Sequence, residues 1–198
     1  MTRGHRISRL TITGLMALGS LAGCVSGSGN IVSEARQVGD FDSVEVSGGL
    51  QVELILEPQG TVGVVSTYDD NLQEKIRTEV VDGTLVVEAS GNIDVTEPGR
   101  HVEITVDSLE TLLVSGGAEV NGTGSASVLA VAVEGGATAN LTDLVVGTMD
   151  ITATAGATAN VAVVTGISGE VTGGAELTVL GNPASRNLDV SDGGKVSN

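Results

Sequence analysis

One short phrase keeps returning along this chain, and it limits what the chain can fold into. It reads Ser47-Gly48-Gly49-Leu50-Gln51-Val52, then Ser115-Gly116-Gly117-Ala118-Glu119-Val120, Gly135-Gly136-Ala137-Thr138-Ala139, Ala155-Gly156-Ala157-Thr158-Ala159, Gly173-Gly174-Ala175-Glu176-Leu177 and Gly193-Gly194-Lys195-Val196. Aligning the later copies gives one apolar column, Val120, Ala139, Ala159, Leu177 and Val196, with steps of 19, 20, 18 and 19 residues. A unit of this length cannot bury its own apolar face, so neighbouring copies must stack to make a core. The spacing holds no helical period between the strand-like segments, which excludes a βαβ sheet. An antiparallel sandwich would not repeat one phrase at one offset. The expected fold is therefore all-β: a single-stranded parallel β-helix with a hairpin-containing N-terminal part. The strict six-residue period of left-handed hexapeptide helices is missing, which favours a right-handed coil.

Strand residues alternate between faces. If the apolar column points inward, Glu119, Thr138, Thr158, Glu176 and Lys195 point outward, one above the next. Lys195 beside Glu176 makes an opposite-charge step of little energetic value when exposed. Asn140 and Asn160 should stack as an amide ladder, which helps hold register. The glycines mark corners that need positive φ or close backbone approach. Earlier in the chain, Val44-Glu45-Val46 and Val52 to Leu56 read as strands. Val80-Val81-Asp82-Gly83-Thr84-Leu85 reads as a hairpin around Asp-Gly. His101 to Val106 and Leu109 to Val114 are two further strands. Asp69 to Ile76 suggests one helical turn, capped by an Asp, with Leu72 and Ile76 on one side.

The chain start reads as an address. Arg3, Arg6 and Arg9 precede an apolar stretch from Leu10 to Leu21, too short to span a bilayer permanently. It runs into Leu21-Ala22-Gly23-Cys24, which resembles the bacterial lipobox. That resemblance implies a signal peptide over residues 1–24, cleavage before Cys24, and lipid on its thiol, palmitate being a usual acyl group. Cys24 is the single cysteine, so no internal disulfide can form. Two or more acyl chains would hold the protein stably on a membrane. The Ser/Gly-rich residues 25–33 read as a flexible tether, and residues 34–198 as one domain.

Removing the leader takes away three arginines and no acids, which moves the formal charge from −16 to −19. Arg36, Lys75, Arg77, Arg100, Arg186 and Lys195 are the basic residues that remain. Such a surface repels nucleic acid and anionic lipid. Phe41 and Tyr68 are the only aromatics, so the core must be built from Val, Leu, Ile and Ala, and a sugar cleft of stacked aromatic rings is excluded.

Catalytic chemistry has little to work with. His101 is the only histidine after the leader, and at a strand start it reads as an ordinary exposed residue. Zinc needs two or more His or Cys ligands, so no metal or other cofactor is expected. Asp69 and Asp70 lack calcium-loop spacing and fit a turn better. Asn121-Gly122-Thr123 and Asn140-Leu141-Thr142 match the glycosylation sequon, but they read as turn and ladder residues.

Several of these segments follow one another as in a known family. Asn30-Ile31-Val32-Ser33-Glu34, Phe41 to Gly49, Asp69-Asp70-Asn71-Leu72, Val81-Asp82-Gly83-Thr84-Leu85 and Leu109 to Gly117 resemble the DUF2807 proteins, also called head GIN or auto-transporter adhesin domains. The resemblance runs from about Gly29 to the C-terminus and implies a β-helical, envelope-associated domain, often on a lipoprotein. The expected function is a non-enzymatic interaction, adhesin-like or scaffold module, anchored outside the cytoplasm and contacting envelope protein or glycan. Two alternatives are a glycan-cleaving β-helix enzyme and a self-assembling envelope or sensor component that pairs through its last coil.

Overall fold

The computed structural model describes residues 24–57, 60–91, 93–95 and 98–198; the leader lies outside them except for Cys24. The chain is all-β, as expected. Its strands are β1 (Ile31–Arg36), β2 (Ser43–Ser47), β3 (Gln51–Leu56), β4 (Gly63–Asp69), β5 (Ile76–Val81), β6 (Thr84–Ala89), β7 (His101–Val106) and β8 (Thr111–Val114). The longer β9 (Glu119–Val133), β10 (Thr138–Ala153) and β11 (Thr158–Val171) follow, then β12 (Glu176–Leu180), β13 (Ser185–Val190) and β14 (Lys195–Ser197).

Two parallel ladders organise these strands. The first runs β7-β3-β9-β10-β11-β12-β14, and the second runs β6-β2-β8-β9-β10-β11-β13. β9, β10 and β11 bend midway and belong to both. The expected column is present residue for residue: Val120 pairs Ala139, Ala139 pairs Ala159, Ala159 pairs Leu177, and Leu177 pairs Val196. Val52 and Val102 extend it upward. All of these are buried except Val196, at the last rung, which is half-buried. Fully burying one Val or Leu is worth about 1.5–3 kcal/mol, so the columns carry the stability.

The wobble in the repeat has a local cause. From the second-ladder column to the first, the rungs that carry the glycine phrase take eight residues: 44 to 52, 112 to 120, 131 to 139, 151 to 159, 169 to 177 and 188 to 196; the rung of β6 and β7 takes 17, from 85 to 102. Across the opposite side the intervals are 11 (120 to 131), 12 (139 to 151), 10 (159 to 169) and 11 (177 to 188). Register shifts in β10 fall in that bend, at Asn140/Asp143 and Leu141/Val145. Corners are rigid and bends absorb length.

The corners are rigid because each is a tight turn closed by its own hydrogen bond. Ala118, Ala137, Ala157 and Ala175 donate their N–H to the carbonyls of Ser115, Glu134, Thr154 and Thr172 at 3.1–3.2 Å. The two central residues both have positive φ, the type I′ geometry. Stacked corners also bond to one another, Gly156 N–H to Gly173 O at 3.0 Å for example. Alanine lines this side, where the ladders converge, while Leu129, Leu141, Leu144 and Met149 lie toward the bends, all fully buried.

Three expectations need correction. First, the hairpin forms as read, β5 against β6 around Asp82-Gly83, but it does not open the stack in chain order. β2 and β3 lie between the rung made by β6 and β7 and the rung made by β8 and β9. The interval from Val52 to Leu112, 60 residues, holds an excursion whose strands β4 and β5 close that end in antiparallel pairing, joined by β1 from the start of the domain. β6 has a free edge beyond its hairpin partner, and β2 takes it. Second, residues 25–33 are no free tether. Ile31–Arg36 pairs antiparallel with β4 as an edge strand, with only Val32 and Arg36 partly buried. Third, Asp69–Ile76 forms only a 3₁₀ turn at Gln73–Lys75 with no side-chain cap, although Leu72 and Ile76 are both buried.

Ala155 occupies a corner position where Gly116, Gly135 and Gly173 stand on other rungs, and its φ is 53°. A left-handed conformation costs an L residue about 1–2 kcal/mol, partly offset by the greater freedom glycine loses on folding. Ala155→Gly should therefore stabilise the protein by about 0.5–1 kcal/mol, read as a higher urea midpoint at unchanged m-value.

Candidate interaction surfaces

The outer face of the first ladder carries two polar rows. One is Glu119, Thr138, Thr158, Glu176 and Lys195, in register. Its expected charge step is formed, with Lys195 Nζ 2.6 Å from Glu176 Oε1. That contact lowers the Glu176 pKa and raises that of Lys195, chiefly through the shared hydrogen bond. The second row is Asn121, Asn140, Asn160, Thr178 and Ser197. Asn140 Nδ2 donates to Asn121 Oδ1 at 3.2 Å, and Asn160 Nδ2 donates to Asn140 Oδ1 at 2.8 Å. Thr178 and Ser197 hydroxyls meet at 3.1 Å. Both sequon asparagines are ladder residues on strands, not turn residues.

The outer face of the second ladder is more acidic. Glu170 lies opposite Asp189, and Asp150 accepts from Ser168 Oγ at 3.4 Å. Along the bends an open groove of about 500 Å³ is lined by Leu56, Asp107, Leu109, Glu110 and Val128. A neighbouring hollow of about 360 Å³ shares Glu110 and Val128 and adds Asp150. Val128, Val145 and Val164 are exposed near this side. Among the described residues no group of three His, Cys, Asp or Glu side chains is placed to hold a metal ion.

The far end of the stack is blunted. Arg186 pairs with the buried Ile167, so it continues an inward column with a charge, and its Nη1 donates to Asn198 Oδ1 at 2.5 Å. An inward-facing charge on an edge strand discourages pairing with another edge.

The closed end holds a buried ion pair. Asp69 is fully buried, and Arg100 donates to it through Nε at 2.7 Å and Nη2 at 3.2 Å. Gly29 N–H adds a 2.6 Å bond. The Arg100 hydrogen bond, against the opposing effect of burial, holds the Asp69 carboxyl below its ordinary range. Asp69 is thus engaged by Arg100 and Gly29 and caps no helical turn. Sequence gave no signal for the pair: the partners are 31 residues apart, and Arg100 was one of six candidate cations. Nearby, Tyr68 is the largest fully buried side chain, and burial pushes its phenol up to about 12. His101 begins β7 opposite Thr67, half-buried. Cys24 is free and exposed.

A family model, "Putative auto-transporter adhesin, head GIN domain" (DUF2807), matches residues 40–124 and again 113–183. The chain belongs to this family. The two overlapping matches meet at the rung where β8 and β9 begin. Among solved structures, a "putative adhesin" from Bacteroides fragilis NCTC 9343 is similar at 15% identity and a TM-score of 0.52, covering 88% of this chain and 99% of its own. A "putative lipid binding protein" from Parabacteroides distasonis ATCC 8503 matches at 14% identity and a TM-score of 0.44, over 88% and 99%. A "putative adhesin" from Parabacteroides merdae ATCC 43184 matches at 15% and 0.41, over 87% and 98%. No curated protein matches the chain. The first of these similarities supports the head GIN fold, and at such identities none carries a ligand across.

Two outcomes follow. Asp69 has a depressed folded-state pKa, so its contribution is present above the unfolded value of about 3.9 and is lost as pH falls through the folded value. Below about pH 4 the wild type should lose urea resistance more steeply than Asp69→Asn, which starts less stable. In the amide row, Asn140 takes part in two amide–amide bonds and Asn160 in one. Asn140→Ala should cost about 1–2 kcal/mol and Asn160→Ala less, by urea denaturation.

Proposed function

We propose that this head GIN protein is a non-enzymatic envelope module: a right-handed parallel β-helix, lipid-anchored through Cys24 outside the cytoplasm, that presents its first-ladder outer face to envelope protein or glycan. The observation that carries the reading is the pair of in-register outward rows. Between Glu119 and Glu176 they hold only Thr138, Thr158, Asn121, Asn140 and Asn160, in a chain of net charge −16. A flat row of uncharged donors and acceptors at strand spacing suits a repeating or extended partner, contacted over many weak bonds rather than in a cleft. The family description and the adhesin relatives support the same reading, and the lipobox-like Leu21-Ala22-Gly23-Cys24 supports the anchor. Arg186 at the far end works against self-assembly through the last coil.

Residues 25–198 immobilised on beads should retain an envelope protein or glycan from a membrane-and-wall fraction at both low and physiological salt. Thr158→Arg with Asn160→Lys, which adds bulk and charge to the face, should reduce capture tenfold or more at unchanged circular dichroism. Equal capture by both forms refutes the face assignment. Cys24→Ser in the full chain should move the protein from the membrane pellet to the soluble fraction; continued pelleting refutes the anchor.

A further inference from the structure

The segment directly after Cys24 is fastened to the closed end of the stack by a set of bonds that no tether would need. Val25 makes a parallel bridge with Ile93, and its carbonyl accepts from Asp94 N–H at 3.1 Å. Asn71 Nδ2 donates to Ser26 O at 3.0 Å, while Ser28 N–H donates to Asn71 Oδ1 at 3.0 Å. Ser28 Oγ and Asn30 Nδ2 donate to the two oxygens of Asp70 at 2.5 and 3.0 Å. Asp70 N–H returns a bond to Asn30 O at 2.9 Å. Gly27 lies so close to Asp69 that a Cβ there would sit 2.4 Å from its carboxylate. Asp69 is itself held by buried Arg100. Three consecutive residues, Asp69 to Asn71, thus form a clasp for Ser26 to Asn30.

We propose that this clasp seats the closed end of the protein against the lipid headgroups, so that the rungs project away from the membrane in one orientation. The proposal rests on the reading that Cys24 carries a lipid. Nine free residues after the cysteine would span about 30 Å and let the domain swing. With Val25 already bridged to Ile93, the lipid-bearing residue is adjacent to the folded body. The membrane then faces the outermost strands β1 and β5, and Ser185 to Asn198 lie at the opposite end of the stack. The outer ladder faces stand roughly along the membrane normal, open to partners at every height.

The chain has no tryptophan, so single reporters can test the seat. Glu74→Trp places one at an exposed position beside the clasp, and Ser197→Trp places one on the last strand. Residues 24–198, which contain every described strand, are coupled through Cys24 to a maleimide phospholipid and mixed into phosphatidylcholine vesicles carrying spin-labelled headgroups. Quenching at position 74 should exceed that at position 197 at least threefold. Asp70→Ala with Asn71→Ala, or separately Gly27→Val, should open the clasp and collapse that contrast at unchanged circular dichroism. Equal quenching at the two positions in the intact protein overturns the proposal, as does a contrast that survives both clasp variants. Because the lipid is supplied chemically, this result is independent of cellular lipidation, which the Cys24→Ser fractionation decides separately.

Discussion

Every other property of this protein depends on parallel rungs lying in register, with the Gly-containing corner fixed at one length. Along the two ladders the backbone hydrogen bonds run from rung to rung, so each rung is held by its neighbours. Because the glycine-phrase corner takes eight residues between the two inward columns, a side chain sits over its counterpart on the next such rung along both ladders. Like then stacks on like. Valine, leucine and alanine columns close the interior, and threonine and asparagine rows form outside. The interior is thin, which is why a chain with two aromatic residues can fill it.

That geometry explains why so much was legible beforehand. The phrase with paired glycines marks the corner, the corner sets the phase, and the phase sorts inward Val120, Ala139, Ala159 and Leu177 from outward Thr138 and Thr158. The Asp82-Gly83 hairpin was equally clear, since its turn chemistry is local. What was hidden depends on distant partners. Ser26 to Asn30 have the composition of a linker, and only the arrival of Asp69, Asp70 and Asn71 orders them. Asp69 resembled a cap because its neighbours suit a turn, yet an arginine 31 residues away claims it. The order of rungs was also unreadable. Nothing near Val44 says that Leu85 will lie on one side of it and Leu112 on the other.

The two ends of the stack differ in kind. At one end antiparallel strands, Tyr68 and the Asp69–Arg100 pair shut the interior. At the other, Lys195 bridges Glu176 and Arg186 turns a charge along an inward column. A stack of identical coils would leave two sticky edges, and here each is managed by a different device. The asymmetry gives the molecule a direction, which a seat beside Cys24 would turn into an orientation.

The bends have a consequence of their own. They take 10, 11 or 12 residues without disturbing either column, and one of them accommodates the whole excursion between Leu56 and Leu109. Closing a longer loop grows in cost only with the logarithm of its length. The bend side is therefore a natural socket for grafting: a peptide epitope or small module spliced there would hang from the scaffold while the corners go on dictating its pitch.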